Sequence, residues 1–219
     1  MPDSARGRRG PQRRPYVSVG HRTDLVRSTN TRDQRWTVLI LTNGERTEVD
    51  YFNGIRGAGL ALQEKVLIVK FRNGSLTEIV RSAAELRDYS EYDEAWAVCD
   101  VDEFDVRPAI EESTARDINL ALSQPSFEVW LILHQTGNCP GFNNATQASR
   151  MLRKLVHGWE KGNLRFADFA GGILLAVGRA QQLGEPPEAN PSTAVWRLIV
   201  SLGIGQSEDM EPMQGILPE

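Results

Sequence analysis

The chain has little cysteine: two residues, Cys99 and Cys139, in 219. Two thiols do not make a disulfide framework or a zinc site. Cys99 ends an apolar run and is expected to be buried, and both thiols suit a reducing cytosol. Long apolar stretches are missing too. Even the one around residues 173–177 falls far short of the roughly 20 residues a spanning helix needs. The Arg-rich amino terminus carries no apolar h-region of a leader. The expectation is a soluble, cytoplasmic protein with no membrane partner. There is no Walker-type phosphate loop, no HExxH helix and no GxSxG elbow. Ser123 and Ser126 have no histidine partner visible in the sequence, so serine-hydrolase chemistry has no support. No internal repeat is visible.

What is present is ample apolar material and an uneven charge. Apolar residues make up 40 % of the chain, enough for a sizeable core. The net charge of −4 hides an asymmetry: residues 1–32 carry eight Arg against two Asp, a net +6, which leaves −10 on the rest. A basic arm precedes an acidic body. Residues 1–33 are rich in Gly, Pro, Ser and Arg and keep no period of 2 or 3.6, as expected of a disordered arm that touches phosphates in passing. One domain is expected over 34–202 and a frayed tail over 203–219.

Within the body, β-rich runs alternate with helical periodicities. Residues 36–41 form a nearly continuous apolar run, as suits a strand buried on both faces. A helix is expected from Thr47, whose hydroxyl can cap it, to Ile55. Residues 66–69 predict a second strand. Ser75-Leu76-Thr77-Glu78 matches a capping box, followed at helical spacing by Ile79, Val80, Ala83 and Leu86. Residues 95–99 predict a third strand, Pro108 a helix reaching Asp117, residues 118–122 a fourth strand and 127–134 a further helix. This alternation predicts an α/β fold, a parallel sheet flanked by helices. The last third reads as helical. One apolar stripe is Ala148, Met151, Leu152, Leu155 and Val156; another is Phe166, Phe169, Ala170, Ile173, Leu174 and Val177. Asn190-Pro191-Ser192 is expected to open a final helix with Val195, Trp196, Ile199 and Leu202. Parallel sheets take ligands at the carboxyl ends of their strands, which puts the loops at 43–48, 100–105 and 123–128 at one edge.

Asp100-Val101-Asp102-Glu103 directly follows the third strand. In an extended segment residues i and i+2 point the same way, so Asp100 and Asp102 converge on one point. Residues 91–105 hold seven acids and no base. Crowded carboxylates repel until a cation joins them, and Mg²⁺ takes oxygen ligands while keeping several waters. The plain alternative is a solvated acidic loop. Gly44-Glu45-Arg46-Thr47-Glu48 is a glycine turn at a helix start that can present Glu45 or Glu48 to the same metal, or leave Glu48 on the helix dipole. Glu128 opens a strongly apolar helix beside Trp130 and gains a catalytic or metal role only if its loop lies near Asp100. His134 reads as structural. Arg150, Arg153, Lys154 and His157 lie opposite the apolar stripe of their helix, with Lys161 and Arg165 beyond. Such a face suits phosphates, though it is more often merely solvated.

Together these pieces resemble the RloB family, a Toprim-like group linked to restriction and phage-defence loci. The resemblance runs from about Trp36 to Leu202. It rests on the apolar strand leading to Gly44-Glu45-Arg46-Thr47-Glu48, with Tyr51-Phe52 behind it, and on Trp96 ahead of Asp100-Val101-Asp102-Glu103. The Ser123…Pro125-Ser126-Phe127-Glu128…Trp130…His134 stretch, Trp159-Glu160-Lys161 and Asn190-Pro191-Ser192-Thr193 complete it. The resemblance implies a Toprim-like sheet, in which a glutamate after the first strand and a DxD pair after a later one surround Mg²⁺. It implies a nuclease acting beside an ATPase partner in antiviral defence.

Carried onto this chain, the resemblance gives the metal to Asp100 and Asp102, with Asn43 and Glu48. Catalysis falls to Glu45, Glu48, Glu128 and Lys161, the lysine stabilising charge on the phosphate. Two departures stand out. Asn43 occupies the first position of the family's usual Glu-Gly-x-x-Thr-Glu; an amide ligates through its oxygen but brings no charge and is no base. Trp159 stands where relatives usually carry Tyr. The expected activity is a nuclease dependent on Mg²⁺, or on Mn²⁺, cutting DNA or RNA, tRNA included. The alternative is a non-catalytic nucleic-acid- or partner-binding module. A third class, nucleotide or second-messenger handling, is set back by the missing phosphate loop.

Overall fold

The computed structural model describes residues 35–101 and 105–205. The expected arm, the acids Asp102 and Glu103, and the tail from 206 lie outside the described residues.

The run at 36–41 becomes strand β1 (Trp36–Thr42). Its Val38, Leu39, Ile40 and Leu41 are at most 1 % exposed. A strand that is apolar at every position has to be covered on both faces. Val38 and Ile40 enter one apolar cluster, Leu39 and Leu41 another, as the pleat requires. Strands β2 (Lys65–Phe71), β3 (Glu94–Asp100) and β4 (Asn119–Gln124) join β1 in a parallel set ordered β2-β1-β3-β4. A two-residue β5 (Ser192–Thr193) pairs antiparallel on the β4 edge. The fold is α/β, a five-stranded and mostly parallel sheet flanked by helices, with a helical carboxyl-terminal part.

Helices α1 (Thr47–Gly57) and α4 (Glu128–Gln135) cover the Val38/Ile40 face. Helices α2 (Leu76–Ser90) and α3 (Arg107–Ala115) cover the other. On the first face α5 (Ala145–Leu155), α6 (Ala167–Ala170), α7 (Ile173–Leu183) and α8 (Val195–Ser201) add further layers. Helix α4 is therefore wrapped, and every residue from Glu128 to His134 is buried. A helix apolar all round needs such a jacket. The chain leaves β1 for β2 by way of α1, then crosses back over β1 to β3 by way of α2 on the opposite face. That reversal makes the gap between the carboxyl ends of β1 and β3 the switch point where such sheets take ligands.

The capping box at Ser75 forms on both sides: Ser75 Oγ accepts from the Glu78 N–H at 3.4 Å and Glu78 Oε2 accepts from the Ser75 N–H at 2.8 Å. Three expectations are corrected. Thr47 is the first helical residue of α1, not its cap; Arg46 holds the cap position and no side chain caps there. The second apolar stripe is two helices, broken at Gly171-Gly172, and leaves Leu174 half exposed. The chain has to pass close under α4 at that point, since a Cβ on Gly172 would meet the His134 carbonyl oxygen at 2.5 Å. Ser192 does not begin a helix. Ser192 and Thr193 extend to close the edge of β4, the Ala194 N–H donating to the Leu122 carbonyl at 2.8 Å, and α8 starts only at Val195. A strand edge left open presents unpaired backbone groups, and β5 supplies their partners. No helix among the described residues is long and apolar enough to cross a membrane.

Candidate functional site

The switch point is built by short-range constraints on three chain segments. Strands β1 and β3 stop side by side, and the Asn43 N–H donates to the Val98 carbonyl at 3.2 Å. Trp96 and Val98 point to the α1/α4 face. The alternation of a strand carries Asp100 to that face as well, while Cys99 turns to the other. Asp100 Oδ1 accepts the N–H of Phe127 at 2.8 Å, which ties the end of β3 to the start of α4. Gly44 opens the loop before α1, and a Cβ there would overlap the Glu48 carboxylate. Glycine is required because that carboxylate folds back over the loop. The result is a pocket of about 350 Å³ lined by Asn43, Glu45, Glu48, Asp100 and Lys161, together with Gly44, Arg46, Thr47 and Gly162.

Glu128 lies beneath this pocket, 1 % exposed. Its Oε2 accepts from Ser126 Oγ at 2.6 Å and its Oε1 from Ser149 Oγ at 3.0 Å. Lys161 Nζ stands 3.5 Å from the same Oε1. A buried carboxylate is tolerated only when its lone pairs are met, and here two hydroxyls and an ammonium meet them. The Lys161 side chain is mostly exposed, and the chain turns directly after it at Gly162 (φ 83°).

The electrostatics are lopsided. Burial, and then the charges of Glu48 and Glu128, push Asp100 well above the ordinary carboxylate range, against the pull of the Phe127 N–H and Lys161. Burial also raises Glu48; its own backbone N–H works against that, and the Glu128 charge adds to it. Burial alone would lower Lys161, but Glu128, Asp100 and Glu48 together outweigh it and raise the ammonium. With Glu45 and Arg46 on the wall, four carboxylates stand against one ammonium and one guanidinium, so the site is short of positive charge.

That shortage is what a cation relieves, and the donors bear on which one. Among the described residues no three His, Cys, Asp or Glu side chains are gathered closely enough to cage a metal. Mg²⁺ needs no cage: it is held by one or two carboxylates and keeps its waters. Asp100, Glu48 and the Asn43 amide offer only oxygen, which fits a hard ion of that kind. Asp102 lies outside the described residues.

The remaining candidates divide clearly. Glu45 is exposed at the pocket lip. His134 sits at the far end of α4. It donates from Nδ1 to the Phe169 carbonyl at 2.7 Å and accepts from the Tyr51 hydroxyl on Nε2 at 3.1 Å. Burial holds it down at about 4, so it is neutral with a fixed tautomer and serves packing. Arg150, Arg153, Lys154 and His157 are solvent-exposed, and Arg165 pairs with Asp168. Sequence reasoning missed Arg46 on the pocket wall, the hydroxyls of Ser126 and Ser149, and the Phe127 N–H. Ser149 had a signal, since a polar residue beside Ala148 and Leu152 on a buried stripe asks for a partner. The Phe127 N–H had none.

A family model described as RloB-like protein matches residues 38–202. No curated protein and no solved structure matches the chain.

Proposed function

Because the chain belongs to the RloB-like protein family, we propose that it is a metal-dependent nuclease of Toprim-like type that hydrolyses phosphodiester bonds in antiviral defence. One observation carries the reading: Glu48, Asp100 and Lys161 line one pocket at the switch point of the sheet, with the buried Glu128 paired to that lysine. Asp100 and Asp102 would hold Mg²⁺ or Mn²⁺, with the Asn43 amide oxygen and Glu48 beside them. The bound ion supplies Lewis acidity and lowers the pKa of water. Glu48 on the pocket wall is placed to complete the site or position the attacking water, with Glu45 at the lip as its substitute. Lys161 sets its ammonium against the charge that develops on the phosphate, and Glu128 holds that ammonium in place. An ATPase partner belongs to the same proposal.

The test is direct. Wild type and Asp100→Ala are incubated with single-stranded DNA, duplex DNA and tRNA, in Mg²⁺, Mn²⁺ or EDTA. Cleavage that needs metal and disappears in Asp100→Ala supports the reading and names the substrate. Cleavage that persists in a clean Asp100→Ala preparation sinks it. Asn43 favours a second reading, a module that binds nucleic acid or a partner without cutting. On that reading wild type is inert and Asn43→Glu gains activity.

A further inference from the structure

Residues 129–159 contain neither Asp nor Glu, thirty-one consecutive positions within a body that is otherwise strongly acidic. Helix α5 runs through this stretch. Arg150, Arg153, Lys154 and, just past its end, His157 recur at i, i+3, i+4 and i+7, and all four are exposed. That spacing puts Arg150, Arg153 and Lys154 on one helix face; His157 follows the extended Val156, outside the helix. Among the described residues none of the four is in an ion pair, whereas Arg81, Arg107, Arg116, Arg165 and Arg197 all find carboxylates. The stripe is also joined to the pocket. Ser149, on the buried side of α5, donates to the Glu128 carboxylate that holds Lys161. The Arg153 guanidinium lies 6.0 Å from the Trp159 ring centroid, two residues before Lys161.

We propose that the exposed face of α5 is the track along which a nucleic-acid strand enters the pocket, its phosphates lying on Arg150, Arg153, Lys154 and His157. From Arg150 to Lys154 the track spans about 6 Å of helix, room for about two phosphates. A basic stripe on a helix that carries no acid suits a polyanion, because the acidic body repels the strand and the stripe attracts it. The strand's destination rests on the nuclease reading; the surface itself does not.

The experiment uses the full chain in EDTA and a labelled single strand of about 20 nucleotides, DNA and RNA in turn, titrated from about 50 to 200 mM salt. Replacing Arg150, Arg153 and Lys154 together by Gln is expected to weaken binding about tenfold or more, and to lower the salt slope by about 2. Lys154→Glu alone is expected to act in the same direction. The same loss is expected when Arg8, Arg9 and Arg13 of the arm are already Gln. Turnover of bis(p-nitrophenyl) phosphate, too small to reach α5, is expected to stay at the wild-type level. Unchanged binding and slope overturn the proposal, as does a loss that vanishes in the arm-substituted background. Loss of binding to a poly-Glu peptide instead of the strand overturns it too, and so does a fall in small-ester turnover. If wild type cuts nothing and the stripe still governs binding, the surface stands and the nuclease reading falls.

Discussion

Asp100 is held where its charge is unwelcome. Its raised proton affinity means that the folded chain binds that proton more readily than the unfolded chain does. By linkage, the metal-free protein gains stability from this group as pH falls toward the ordinary carboxylate value. It loses that stability as pH rises through the raised one. Above the ordinary carboxylate value the buried group is a liability to the fold. Asp100→Asn keeps an oxygen for the Phe127 N–H and removes the charge, so it should raise the Tm of the metal-free protein while abolishing cleavage. Each 1 kcal/mol relieved would appear as roughly 2–4 °C in a chain of this size. Melts with and without Mg²⁺ check it: wild type should be stabilised by the ion and the variant not, and a lower Tm in the variant would contradict the charge argument. Glu128 makes a different prediction, because it acts through Lys161. Glu128→Gln keeps volume and loses the ion pair, so kcat should fall about ten- to a hundredfold with little change in KM. A carboxylate present only for packing would leave kcat alone. The sequence marked Asp100, an acid at the end of a buried run, but not the depth of Glu128. Its partners, Ser149 and Lys161, arrive from later parts of the chain.

At the scale of elements, the loop from β1 to α1 and the cap of α2 give contrasting tests. A methyl at Gly44 must displace the Glu48 carboxylate. That carboxylate ends a flexible side chain, so Gly44→Ala should cost little stability and much activity, with Tm near wild type and cleavage down at least about tenfold. Ser75→Ala should do the reverse. It removes the hydroxyl half of the capping box and leaves the Glu78 carboxylate on the residue-75 N–H, costs about 1 kcal/mol and lowers Tm by roughly 2–4 °C, with kcat unchanged. Comparing melts and rates of the two variants separates site from scaffold. Elements that carry their own instructions were legible in the sequence: β1 as an uninterrupted apolar run, β3 likewise, α2 through its box. Those defined by a distant partner were not. Ser192–Thr193 is a strand only because β4 offers an open edge, and the break between α6 and α7 exists because Gly172 must pass under His134.

Over the whole molecule, α4 carries two buried polar groups into one core, the carboxylate of Glu128 beneath the site at its amino end and the imidazole of His134 near its carboxyl end. His134 joins three helices through Tyr51 of α1 and the Phe169 carbonyl of α6, and its folded pKa is held down at about 4 against 6.5 ordinarily. The unfolded chain takes up that proton near 6.5 and the folded chain refuses it until about 4. Stability from His134 is therefore complete above 6.5 and is lost as pH falls through that window, by roughly 3 kcal/mol in all. Asp100 and Glu48 oppose the trend, since their raised affinities favour the folded state as pH falls. The melting profile of the metal-free protein should thus descend between pH 6.5 and 4 less steeply than His134 alone dictates. His134→Gln, neutral throughout and still able to accept from Tyr51 and donate to Phe169, should flatten or invert the descent. Asp100→Asn should steepen it. Thermal melts of the three proteins at several pH values decide the matter. If His134→Gln descends as steeply as wild type, the imidazole is not the group that makes this fold acid-sensitive.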